Sequence, residues 1–220
     1  MSEPGRVRFR FEKLGRACFI SHLDLQRTLA RSFVRAEIPL WYTEGFNPHP
    51  YISLLRPLSV GYESVCELGE TVLTVKIDAE ALRAAVNRCA PEGLRLTELY
   101  EGGRPARELC WSEYEIVVTA DTVASGFAKK FENLFNNPVF LEKKSKRGAA
   151  ETDISTMVKS AAARERGGGI LLRVTVRDAA DGGLNPAYVV RAAANAGLFE
   201  PVAARYRRVA MLGGELAAFR

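Results

Sequence analysis

The sequence predicts an α+β protein of two tandem ferredoxin-like units, each with the element order β-α-β-β-α-β. Three observations carry that expectation. An alternating strand opens the chain, two helical stripes flank a β-branched strand, and the same order of elements returns after a glycine-rich break at Glu101-Gly102-Gly103-Arg104-Pro105. The expected organisation is a first unit over 1–100, a linker over 101–111, and a second, diverged unit over 112–220.

Val7, Phe9 and Phe11 alternate with Arg6, Arg8 and Arg10, the pattern of a strand with one apolar and one basic face. Ser21 followed by Asp24 forms a capping signal, and Leu25, Leu29, Phe33 and Ala36 recur at helical spacing, predicting a helix from about His22 to Ala36. Pro39–Thr43 and Tyr51–Leu55 read as short strands around a turn-forming segment, 44–50. Thr71–Ile77 is a β-branched strand, Asp78 caps a helix with the stripe Leu82, Val86, Cys89, and Leu94–Leu99 closes the unit. In the second half Tyr114, Ile116 and Val118 alternate, and Phe127, Phe131, Leu134 and Phe135 form a helix stripe. Phe140–Lys143 and Ile170–Val176 read as strands, with an extra helical turn over 152–158 between them. Asn185-Pro186 starts a helix and Tyr206–Met211 is the last strand.

A chain of 220 residues with 47% apolar and 26% charged residues is an ordinary globular protein, which excludes disordered and fibrous classes. Met1–Gly5 lacks the apolar core of a signal peptide and no apolar run approaches the ~20 residues that cross a bilayer, so a cytoplasmic location is expected. Cys18, Cys66, Cys89 and Cys110 are single and far apart, the pattern of reduced thiols rather than of a zinc or iron–sulfur site. The net charge of +5 and pI of about 9.1 suit an acidic partner. No cofactor is expected.

The two histidines fall in the two densest polar clusters, Ser21-His22-Leu23-Asp24-Leu25 and Glu44-Gly45-Phe46-Asn47-Pro48-His49-Pro50, and one site built from both is the sharpest functional expectation. With Val7, Phe9 and Phe11 feeding the core, Arg6, Arg8 and Arg10 stand on the open sheet face, either toward phosphates or as a face paired with Glu113 and Glu115. Phe46 can stack on a base while Asn47 and His49 hydrogen-bond it, or the loop is a structural turn. His22 and Arg16 can hold a phosphate at the helix N-terminus, or Ser21 and Asp24 only cap the helix. Lys143, Lys144, Lys146 and Arg147 form an expected mobile basic loop. The spacing of histidines and carboxylates matches no metal signature. Ser21, His22 and Asp24 lie on one helical turn and cannot make a nucleophile–base–orienter chain, and no G-x-S-x-G elbow is present. Gly167-Gly168-Gly169 and Gly182-Gly183 match neither phosphate-loop nor dinucleotide fingerprints.

The runs Phe9–Arg16, Phe19–Leu25, Tyr42–Pro50 and Pro57–Ser64, with a weaker piece at Glu151–Ile154, resemble the bacterial radical SAM-linked protein family, a domain of unknown function. The resemblance implies an accessory role beside a radical S-adenosylmethionine enzyme in RNA or ribosome metabolism, and supplies no catalytic residues. The C-x-x-x-C-x-x-C triad of such enzymes is absent, so radical chemistry belongs to a partner. The expected function is an RNA-binding accessory protein. The alternatives are a module that docks the radical SAM enzyme without RNA contact, and a metal-independent RNA-processing or RNA-modifying enzyme with His22 or His49 as acid–base.

Overall fold

The computed structural model describes residues 5–145 and 148–220. It divides into two compact units, one comprising residues up to Ala106 together with Arg220, the other Arg107–Phe219.

In the first unit β1 (Gly5–Lys13) leads through a 3-10 turn, Gly15–Phe19, into α1 (His22–Arg35); β2 (Ile52–Leu55), β3 (Glu63–Leu73), α2 (Ala79–Cys89) and β4 (Leu94–Glu101) follow. The strands lie in the order β2-β3-β1-β4, all antiparallel. The expected caps are present: Ser21 Oγ accepts from the Asp24 N–H at 3.2 Å and Asp78 Oδ1 from Ala81 N–H at 2.8 Å. Val7, Phe9 and Phe11 meet Leu25, Leu29 and Phe33 of α1 and Leu82 and Val86 of α2 in one core, with the Phe9 and Phe33 rings 5.3 Å apart. β3 begins eight residues before the expected strand. Its Gly69 reads as a breaker, yet a Cβ there would lie 2.3 Å from Phe9 Cζ, so the strand needs glycine to accommodate the ring.

The second unit runs β5 (Leu109–Val123), α3 (Phe127–Leu134), β6 (Phe140–Ser145), β7 (Gly148–Asp153), a 3-10 turn at Ser155–Met157, β8 (Val158–Arg166), β9 (Gly169–Ala179), β10 (Gly182–Gly183), α4 (Ala187–Asn195) and β11 (Phe199–Gly213). Its strands lie in the order β8-β9-β5-β11, with β10 also on β9. Tyr114, Ile116, Val118, Leu172, Val174 and Val176 are buried. α3 packs on β8 and α4 on β11. A buried polar set, Arg208 Nη1 to Asp178 Oδ2 at 3.1 Å and Ser112 Oγ to the same oxygen at 2.6 Å, completes the unit.

The fold is therefore not a pair of tandem ferredoxin-like units. It is a strand-rich mixed α/β fold: in the second unit β8 pairs with β9, β10 adds a further strand on β9, and β6 and β7 form a separate two-stranded sheet that the repeated pattern does not contain. The physical reason is that segments such as β7 and β8, poor in β-branched residues, become strands through the partners they pair with, which a helix–strand pattern along the sequence does not specify. The basic segment after Phe140 also differs from the expected loop: Lys143 and Lys144 belong to β6, opposite Ala150 and Ala149 of β7, while Lys146 and Arg147 lie outside the described residues.

Candidate nucleic-acid interface

The β1 arginines do not form the expected platform. Arg8 is 4% exposed; its Nε donates to Glu70 Oε1 at 3.1 Å, its Nη2 donates to the same oxygen, and its Nη1 donates to the Arg104 carbonyl at 2.8 Å. Arg10 is largely covered and pairs with Glu98 at 3.5 Å. Only Arg6 is well exposed, and it sits 3.4 Å from Glu70. On the same side of the sheet Leu68 and Leu55 are also buried, and Arg8 is a structural cation with no solvent-facing donor role.

Arg16 lies exposed in the 3-10 turn, and His22 is exposed in the first turn of α1 without a hydrogen bond to a described residue. At the start of α1 the Ser21 hydroxyl accepts from the Asp24 N–H and donates at 2.7 Å to the Asp24 carboxylate, which pairs with Arg27 at 3.7 Å, and in the preceding turn Glu63 Oε1 accepts from Gly15 N–H at 3.0 Å. Residues 44–48 cap a short hairpin closed by Thr43 N–H to His49 O at 2.9 Å and a bridge between Tyr42 and Pro50. His49 Nδ1 is 3.0 Å from the Asn47 carbonyl and 3.1 Å from Thr43 Oγ1, so the ring donates from Nδ1 and its Nε2 has no described partner. Phe46 is fully exposed at the tip, and Asn47 is exposed beside it. No described bond joins the two histidine segments directly. Their nearest tie is Gln26, one helical turn past His22, donating to the Ile52 carbonyl three residues past His49. Lys143 is held down, with Nζ donating to the Gly183 carbonyl at 2.7 Å. Among the described residues no group of histidine, cysteine and carboxylate side chains could hold a metal ion.

A different basic face appears in the second unit. Paired residues of antiparallel strands share a face. In β5 the residues Tyr114, Ile116 and Val118 point to the helix side, leaving Glu113, Glu115 and Val117 on the other. Across one row Ala162 of β8, Arg173 of β9, Glu115 of β5 and Arg207 of β11 are in register. The next row holds Arg164, Leu171, Val117 and Arg205. Arg164, Arg173, Arg205 and Arg207 are all exposed. Arg173 Nε pairs with Glu113 Oε1, whereas Arg164 and Arg205 are in no ion pair with a described residue. Strands ~4.8 Å apart put these guanidiniums on a grid about one to three strands wide. Four arginines against two glutamates make a positive sheet face. Sequence reasoning missed it, although the Arg205-Tyr206-Arg207 alternation was visible, because only the strand pairing brings Arg164 and Arg173 to the same side.

The model of a family described as an uncharacterized protein conserved in bacteria, DUF2344, matches residues 6–186. The chain belongs to this family. The DUF2344 match takes in the whole described first unit apart from Gly5 and Arg220, together with Arg164 and Arg173, and ends before β11, so Arg205 and Arg207 lie beyond it. No curated protein matches the chain. No described helix is long and apolar enough to cross a membrane.

Proposed function

We propose that this DUF2344 protein is a cytoplasmic RNA-binding accessory protein that works beside a radical S-adenosylmethionine enzyme. The observation that carries the RNA reading is the exposed sheet face of β8, β9, β5 and β11 with Arg164, Arg173, Arg205 and Arg207. Guanidiniums fixed on a rigid sheet bind phosphates through charge-assisted hydrogen bonds, and each neutralised phosphate releases counterions. The pI of about 9.1 supports an acidic partner. The radical SAM partner rests on the sequence resemblance alone.

The test is fluorescence anisotropy of labelled structured and single-stranded RNA against salt concentration. Binding should weaken with a slope of about −0.7 to −0.9 per phosphate contacted, and Arg205→Glu with Arg207→Glu should reduce that slope by roughly one to two phosphates' worth. Affinity that is indifferent to the double variant sinks the arginine face as the RNA site. Absence of RNA binding by the wild type at low salt, together with co-purification of a radical SAM enzyme from nuclease-treated lysate, moves the assignment to protein docking.

A further inference from the structure

We infer that the arginine face of β8, β9, β5 and β11 takes an A-form RNA duplex across its minor groove, an inference that rests on the RNA reading and narrows it to one class of substrate. The strand register sorts the four arginines into two flanks. Arg205 and Arg207 stand two residues apart on β11, about 7 Å at their Cα positions. On the other flank Arg164 of β8 lies three strands from Arg205, about 14 Å, and Arg173 of β9 lies two strands from Arg207, about 10 Å. The floor between the flanks carries no cation: Leu171 and Val117 fill one row, and Glu115 stands in the middle of the next. Glu115 is half-buried and in no ion pair with a described residue, whereas Glu113 is held by Arg173.

A single backbone running along the middle of the face would meet that carboxylate, so the charge pattern suits two backbones, one on each flank. Single strands are also commonly held by stacking their bases on aromatic side chains, and the two arginine rows contain none. The aromatic residue that β5 adds to this side, Trp111, is half-buried opposite Arg177, four residues from Glu115 and about 14 Å along the strand. An A-form duplex offers the matching surface, a wide, shallow minor groove with a phosphate strand on each side and 2′-hydroxyls between them. A flat sheet meets that groove without inserting an element, as the deep, narrow major groove of RNA would demand. Glu115 then accepts a hydrogen bond from a 2′-hydroxyl, the group DNA lacks. The minor groove of B-form DNA, ~6 Å wide, is narrower than the separation of the flanks.

The full chain is titrated by anisotropy at low salt with one sequence of about 16 base pairs, prepared as an RNA duplex, as single-stranded RNA and as a DNA duplex. The RNA duplex should bind about tenfold or more tighter than either of the others. Arg164→Ala and Arg205→Ala, one from each flank, should each weaken duplex binding and lower its salt slope by about one phosphate's worth. Glu115→Val, which suits a strand, should raise affinity for the DNA duplex and cut the preference for RNA over DNA several-fold, with melting curves run alongside. The wild-type comparison decides the matter even should that variant melt early. Single-stranded RNA bound as tightly as the duplex, DNA bound as tightly as RNA, a preference unchanged in folded Glu115→Val, or duplex affinity indifferent to either arginine variant overturns the duplex assignment and leaves the arginine face standing as a nucleic-acid site. No binding of any of the three overturns both.

Discussion

Arg8 illustrates how burial decides the role of a charge. Its guanidinium is desolvated and held by Glu70, itself only 14% exposed, and a buried cation stripped of its counter-ion is strongly destabilising. Glu70→Ala should therefore lower the unfolding free energy by about 3 kcal/mol, while the apolar pair Arg8→Met with Glu70→Leu should recover most of it, measured by urea unfolding. Asp153 works the opposite way, at the surface. Its carboxylate accepts from Ser155 Oγ at 2.7 Å, Val139 N–H at 2.9 Å and Ser155 N–H at 3.0 Å, and these bonds, the serine hydroxyl foremost, hold its pKa below the ordinary aspartate value of 3.8. A carboxyl whose folded pKa is depressed adds stability above its unfolded pKa and loses it as pH falls toward the folded one. The melting temperature of the wild type should thus decline on acidification below 3.8 more steeply than that of Asp153→Ala, which has already lost the bonds. Of the residues singled out from sequence, the Ser21 cap was legible because capping is local chemistry. The fate of Arg8 was not, because Glu70 lies sixty-two positions away.

Among the elements, helices were the most legible. α1, α2, α3 and α4 stand within a residue or two of where their apolar stripes and caps place them, since a stripe three or four residues apart needs no knowledge of a partner. Strands defined by their partners were less so. β8, Val-Lys-Ser-Ala-Ala-Ala-Arg-Glu-Arg, is poor in β-branched residues and its expected signal is weak. It forms because β9 offers a strong edge, with Ala161 and Ala163 opposite Val174 and Leu172, and because α3 packs on it. The early part of β3 was hidden by Gly69 and by glutamates at 67 and 70, one of them buried. Gly69→Ala should destabilise by roughly 1–3 kcal/mol through overpacking against a ring that cannot retreat, and Phe9→Leu should relieve part of that loss in the double variant, read as the change in thermal midpoint.

At the level of the whole molecule the alternation of helices with the main strands was readable, and the extra strands β7, β8 and β10 were not, because pairing between strands leaves no periodic trace along the sequence. The same gap moved the candidate interface. Alternation in β1 announces a basic face, but alternation cannot tell which faces meet solvent; burial closes that one, and register in β8, β9 and β11 assembles another from residues up to 43 positions apart, from Arg164 to Arg207. The Phe9–Gly69 fit has a consequence for how such a protein reaches the right pairing. Phe9 can lie flat against β3 at one position only, and sliding β1 by a single step would bring a charged guanidinium to the hydrophobic layer while driving the ring into a Cβ of Leu68 or Glu70. The missing methyl thus works as a vernier mark, the notch that favours this alignment of two long strands over a shift of one residue either way.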